Sequence, residues 1–204
     1  MTSSPDSATG AGEHAIQIVE EGVESLTAYG EVPISFTVTS RLRVDPIDAG
    51  LGGFRLTQEP IDPPWLKDYD AIRGEGPIRW SRRWDLTNWG IISARIDDRR
   101  VGGVVVAWNT PGVTMLEDRT DLAVVWDLRV APDVRGQGVG RALFCAAEQW
   151  ARDRARRTLK VETQNINVAA CRFYARMGCT LGAINVHAYD ELPDEVQMLW
   201  YKQL

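Results

Sequence analysis

Arg135-Gly136-Gln137-Gly138-Val139-Gly140, read RGQGVG, sets three glycines at alternate positions between two patterned segments. Upstream, Leu122 to Val130 is an apolar run that reads as a buried strand and is closed by Pro132. Downstream, Ala142, Leu143, Ala146, Ala147, Trp150 and Ala151 recur at three and four residues, with Arg141, Glu148, Gln149, Arg152 and Asp153 opposite them. That spacing predicts an amphipathic helix. The glycines therefore lie where a strand turns into a helix. Successive backbone N–H groups and the helix dipole favour an anion there. A side chain at 136, 138 or 140 would hold a ligand away from those amides or demand an unfavourable φ, and Arg135 and Arg141 add cationic ends to the cradle. A P-loop would need Lys and then Ser or Thr after the last glycine, and Arg141-Ala142 stands there instead. A dinucleotide fingerprint begun at Gly136 would need glycine at 141, and the roughly forty residues after Glu162 are too few for a further βα half. A glycine-rich turn with no ligand is the alternative that the loop alone leaves open.

Outward from the loop, WGIISARI and VGGVVVAW flank Asp97-Asp98-Arg99-Arg100 and read as a hairpin of buried strands. Thr158 to Thr163 reads as a short strand. Asn167 to Met177 reads as a helix capped by Asn167 and stopped by Gly178. Leu181 to Tyr189 and Val196 to Leu204 read as the last strands. Nearer the N-terminus, Ile18, Val19, Val23 and Leu26 have helical spacing, which predicts a helix over 16–29. Strands follow at Phe36 to Val44 and Phe54 to Ile61, the second closed by Pro60, Pro63 and Pro64. Trp65 to Asn88 has no clean period and reads as an excursion over the surface or a lid. Residues 1–14 are small and polar and read as a flexible tail, which leaves 15–204 as one domain.

The 204 residues, 44% of them hydrophobic, are enough for one sizeable core. A net charge of -5 argues against nucleic acid or an anionic membrane as partner and favours a cationic small molecule. Cys145, Cys171 and Cys179 have no paired or metal-binding spacing and read as reduced thiols; His14 and His187 are too scattered for a metal site. The N-terminus lacks a signal-peptide pattern, and no run reaches the ~20 apolar residues of a membrane span. A cytoplasmic protein is expected.

Two stretches together carry a resemblance. Arg135-x-x-Gly138-x-Gly140 after a strand, followed by NVAACRFYARMGC with Asn167, Ala170, Phe173, Tyr174 and Gly178, resembles the GNAT superfamily of acetyl-CoA-dependent N-acetyltransferases. The likeness covers roughly Trp89 to Leu204, and the order of strands and helices agrees with it. Within the superfamily, RGQGVGRAL, LKVETQNINVAACRFYARMGCTLG, FRLTQEPIDPP and the AYD ending at Asp190 look most like streptothricin acetyltransferases. The resemblance implies an α/β fold with a mixed, mostly antiparallel sheet that splays at the cofactor site between flanking helices. A homodimer is an expectation of the family.

The implied chemistry is attack of a neutral amine on an acetyl thioester, with CoA leaving as a thiolate. By resemblance, the pyrophosphate of acetyl-CoA rests on the amides of Gly136, Gln137, Gly138, Val139, Gly140 and Arg141, beside Arg135. The pantetheine arm pairs like an extra strand with Leu128, Arg129 and Val130, whose unpaired amides suit it and can polarise the thioester carbonyl. Asn167, Ala170 and Phe173 complete the cofactor contacts, and Tyr174 is the family's usual proton donor to the thiolate. Asp127 interrupts an apolar strand, as buried acids with a task or a partner do. Carboxylic acids are far stronger acids than alkylammonium ions, so a carboxylate here would orient the amine or work through a relaying water. Many family members have an acidic pair at this place, whereas Trp126 precedes Asp127 here. Glu162 is therefore the second candidate base, and a salt bridge from Asp127 to Arg129 or Arg172 is the structural alternative. Trp126, Glu162, Tyr189, Asp190 and Glu191 are candidates for receiving a cationic acceptor through charge and cation–π contact.

Overall fold

The computed structural model describes residues 15–204; the expected tail over 1–14 lies outside the described residues. In chain order the elements are β1 (Gln17–Glu21), α1 (Leu26–Gly30), β2 (Phe36–Pro46), β3 (Phe54–Lys67), α2 (Pro77–Arg83), β4 (Trp89–Ile96), β5 (Arg99–Trp108), β6 (Leu122–Val130), α3 (Val139–Asp153), β7 (Thr158–Gln164), α4 (Val168–Arg176), β8 (Thr180–Asn185) and β9 (Gln197–Gln203). One sheet runs β1-β4-β5-β6-β7-β9-β8, and β2 and β3 form a separate antiparallel arm. Within the large sheet, β6 and β7 are the parallel pair, joined across α3 as a βαβ unit.

Period-two alternation divides the core between the two faces of that sheet. On one face Val104, Val106, Val125, Leu159 and Val161 pack against Leu143, Phe144 and Ala147 of α3 and Cys171 and Tyr174 of α4. On the other, Ile91, Val105, Ala107 and Val124 pack against Leu26 and Tyr29 of α1 and Trp80 of α2. Full burial of side chains such as Leu143 and Phe144 contributes about 1.5–3 kcal/mol each.

Three expectations are corrected. The helix predicted over 16–29 is a strand followed by one short helix. Ile18 and Val19 fall in β1, which pairs with Glu21 opposite Ile91 and Gln17 opposite Arg95, so cross-strand pairing overrides the local helical spacing. The stretch from Trp65 to Asn88 is no loose excursion. Trp65 to Lys67 finish β3, α2 follows, and Trp80 is buried in the second core. β3 runs past its prolines because its ladder skips from Pro60 to Trp65 and its arm has only edge strands. β8 stops at Asn185, which leaves Tyr189 in the connection to β9.

Candidate active site

The parallel ladder between β6 and β7 pairs Leu122 with Thr158 and ends at Val125 with Val161. Beyond it β6 stays bonded to β5, Asp127 opposite Val105 and Val130 opposite Gly102, while β7 stays bonded to β9. The two strands part, and the β7-facing edge of β6 from Trp126 to Val130 is left without a ladder partner. A bulge at Trp126 marks the point of parting. It turns both Trp126 and Asp127 toward the α1–α2 face. Trp126 meets Trp84 edge-on at 4.9 Å and Trp89 at 5.4 Å, while Asp127 reaches Tyr29. Leu128 and Val130 turn the other way, against the α3 core.

The glycine loop closes the same end of β6. Gly136 and Gly138 have φ of 81° and 90°, values that only glycine adopts readily. A Cβ at either would meet nothing within 4 Å, so the space in front of the loop is open. Gly140 differs: it is helical, and a Cβ there would make ordinary contact with Phe173 at 3.5 Å and Val130 at 3.7 Å. The first turn of α3 begins at Val139, and Ala142 N–H is the first to reach back to Gly138. The amides of Gly138 through Arg141 are the orphan donors of that turn and can hold an anion. Arg141 is exposed beside them. Arg135 is not a free cationic end. Its Nε donates to the Val130 carbonyl and its Nη2 to the Ser35 carbonyl, both at 3.0 Å, so it ties the loop to the start of the arm.

Asp127 has a partner, and it is Arg129. Asp127 Oδ1 accepts from Tyr29 Oη at 2.5 Å and Arg129 Nε at 2.9 Å, and its Oδ2 accepts from Arg129 Nη2 at 2.7 Å. Arg172 instead donates to Gln58. The Arg129 side chain is completely buried; it also binds Asp70 at 2.7 Å and the Val32 carbonyl at 3.1 Å, and lies over the Tyr29 ring. Burial pushes the Tyr29 hydroxyl far above its ordinary range, with the Asp127 charge adding to it, so the hydroxyl stays protonated and donates. With both oxygens engaged by buried donors, Asp127 is poorly placed to take a proton from an amine. Asp127→Asn should act on stability first. Removing half of a buried pair costs about 3–5 kcal/mol, which lowers Tm by roughly 6–20 °C in calorimetry. A variant as stable as the parent but inactive would return Asp127 to the chemistry.

Glu162, one residue past the end of the ladder, is held differently. Its Oε1 accepts from Tyr189 Oη at 2.6 Å and Gln164 Nε2 at 3.3 Å, and its Oε2 accepts from Gln197 Nε2 at 2.8 Å. All three donors are neutral, so they orient the carboxylate without cancelling its charge. Burial, and then the Glu162 charge, push the Tyr189 phenol up, which keeps it a donor. The alternation Lys160, Glu162, Gln164 along β7 was a visible sign of a polar stripe; Gln197 and Tyr69, whose hydroxyl donates to Gln164, had none. Asp190 is exposed outside this cluster. Glu191 lines a cleft of about 540 Å³ between the arm and the β8–β9 connection, with Arg41, Glu59 and Trp65.

On α4, Asn167 accepts from the Ala170 N–H at 3.1 Å and so caps the helix as its spacing predicted. Phe173 lies between Gly140 and Tyr174, whose ring it meets at 5.0 Å. Tyr174 is 6% exposed; burial pushes its phenol well above the ordinary range, so the group stays protonated. Among the described residues no cluster is suited to a metal ion, and no helix is long and apolar enough to cross a membrane.

An anion-receptive helix start at the end of a strand pair that opens like a V is the frame of an acyl-CoA-dependent acyltransferase. The model of the acetyltransferase (GNAT) family matches residues 55–179, and the chain belongs to that family. It is an enzyme that uses acetyl-CoA. Streptothricin acetyltransferase A of Bacillus subtilis is 32% identical over 74% of this chain and 80% of its own length; streptothricin acetyltransferase of Escherichia coli is 35% identical over 73% and 76%. Among solved structures, nourseothricin acetyltransferase superposes with a TM-score of 0.71 at 28% identity, covering 93% of this chain and 98% of its own. A Bacillus anthracis protein solved in complex with acetyl coenzyme A superposes at 0.73 and 26%, covering 93% and 100%.

Proposed function

We propose that the protein transfers acetyl to an amino group of a cationic small molecule of the streptothricin type and so confers resistance to it. The observation that carries this reading is Glu162, an oriented carboxylate beside the parting of β6 and β7. When bound, acetyl-CoA supplies the acetyl thioester and a thiol leaving group. The orphan amides of Gly138, Val139, Gly140 and Arg141, with Gly136 beside them, take its pyrophosphate, whereas the Gln137 N–H is already given to the Val134 carbonyl. The free edge at Leu128, Arg129 and Val130 takes its amide-bearing arm, with Asn167, Ala170 and Phe173 alongside. Glu162 draws in the ammonium and accepts its proton, directly or through a water. Trp126 and Tyr189 wall the acceptor, with Asp190 at the rim. Tyr174, held protonated, donates to the departing sulfur, and the proton passes once the thiolate is desolvated in the same buried surroundings, which raises its basicity as well. A cytoplasmic location and a homodimer belong to the same proposal.

Thiol release from acetyl-CoA, followed against a panel of streptothricin, spermidine, a peptide with a free N-terminus and a lysine peptide, tests the acceptor. Turnover with streptothricin at least tenfold above the others in kcat/KM is expected, since a tenfold preference needs only about 1.4 kcal/mol of differential binding. Release with spermidine or a peptide and none with streptothricin would overturn it.

A further inference from the structure

Beyond Val125 and Val161 no ladder bond joins β6 to β7, yet the interval between them must be held if an extended arm is to bind one edge and react in front of the other. Tyr69 and Asp70, consecutive residues in the connection from β3 to α2, touch both strands. The Tyr69 hydroxyl donates to Gln164 on β7, while Asp70 accepts from Arg129 on β6 at 2.7 and 3.2 Å. Gln164 lies three positions past the last ladder pair and Arg129 four, and the bulge at Trp126 takes up the extra residue. The two anchors therefore lie at matching depth on the two arms of the V.

We infer that Tyr69 and Asp70 form a cross-brace that sets the width of the opening and so the position of the acyl donor relative to Glu162; both are positioning residues. Each end is fixed from behind. The Tyr69 ring packs on Phe36 at 5.9 Å, with Lys67 Nζ 5.5 Å from its centre, and Lys67 is pinned by Glu195 at 2.5 Å. Arg129 is locked by Asp127, Tyr29 and the Val32 carbonyl. A dipeptide cannot stretch, since adjacent Cα atoms stay ~3.8 Å apart. Releasing either anchor frees one strand from the other without emptying the core.

The inference rests on the reading that the arm of acetyl-CoA lies along Leu128 to Val130, and the test separates the two. Binding of acetyl-CoA and of 3′-phospho-ADP, which has the pyrophosphate but no arm, is measured by calorimetry for the parent, Tyr69→Phe and Asp70→Asn. Both changes conserve side-chain shape. The parent should bind acetyl-CoA more tightly than the fragment. Each variant should lose about tenfold of acetyl-CoA affinity, the loss of one good hydrogen bond, while fragment affinity stays within about twofold. KM for acetyl-CoA should rise by the same factor, with KM for the amine unchanged. Equal affinities for both ligands in the parent would overturn the placement of the arm, and the brace with it. A parent preference for acetyl-CoA retained in both variants would overturn the brace alone.

Discussion

Glu162→Gln is expected to lower kcat/KM for the amine by about 10²–10³ at pH 7, within the usual contribution of a general base, while acetyl-CoA affinity holds within about twofold. The substitution keeps length and shape but removes the charge that Tyr189, Gln164 and Gln197 surround. A glutamine must present its NH₂ group to one of those donors, which costs about 1 kcal/mol locally and leaves the glycine loop untouched. The pH profile separates the two tasks assigned to the carboxylate. If Glu162 takes up the proton, the deficit shrinks as pH rises toward the amine's own ~10.4, where free base is abundant. A deficit constant across pH would mean that Glu162 only attracts the cation. Undiminished turnover would remove Glu162 from the site.

Gly138→Val is expected to reduce acetyl-CoA affinity by at least ~100-fold in a protein that still folds. Gly138 has φ 90°, which costs a β-branched residue about 1–3 kcal/mol. That is a tolerable loss for a core of this size. The new side chain projects into the open space before the orphan amides, where a Cβ meets nothing within 4 Å. Gly140→Ala is the matched contrast. Its backbone is helical and its Cβ would rest against Phe173 and Val130 at ordinary distances. Affinity should stay within about twofold, and the helix gains up to ~1 kcal/mol from alanine. Calorimetry on the pair reads the outcome directly; normal binding by Gly138→Val would refute the anion cradle.

The corrected elements share a cause. β1 looked helical because a short edge strand needs no alternation of its own; its order comes from pairing with β4 and from Glu20 and Glu21 binding Trp150, Arg95 and Arg100. The segment around Trp80 and Trp84 looked irregular because α2 is only seven residues long, and the partners that order it are distant in sequence: Tyr29 packs on the buried Trp80, and Trp126 meets the half-buried Trp84 just past the helix. The same distance hid Tyr29, 98 residues from the carboxylate it binds. Arg129, two residues along the strand, offered Asp127 an ion-pair partner, but only the remote groups Tyr29, Asp70 and the Val32 carbonyl bury and fix that pair.

From its residues alone the chain declared the strand, loop and helix around RGQGVG, the Asn167 cap and the stretch up to Gly178. Each is a local affair: φ at a glycine, a side chain reaching three residues on, apolar groups on one helical face. Tertiary structure alone decided which carboxylate is committed and which is available. Asp127 faces the guanidinium of Arg129, two residues along β6, which Tyr29 of α1, the Val32 carbonyl and Asp70 bury and fix. Glu162 faces neutral donors, Gln164 of its own strand with Gln197 of β9 and Tyr189 of the β8–β9 connection. The chemistry of an acid depends on the groups around it, and folding, not adjacency in the chain, assembles them.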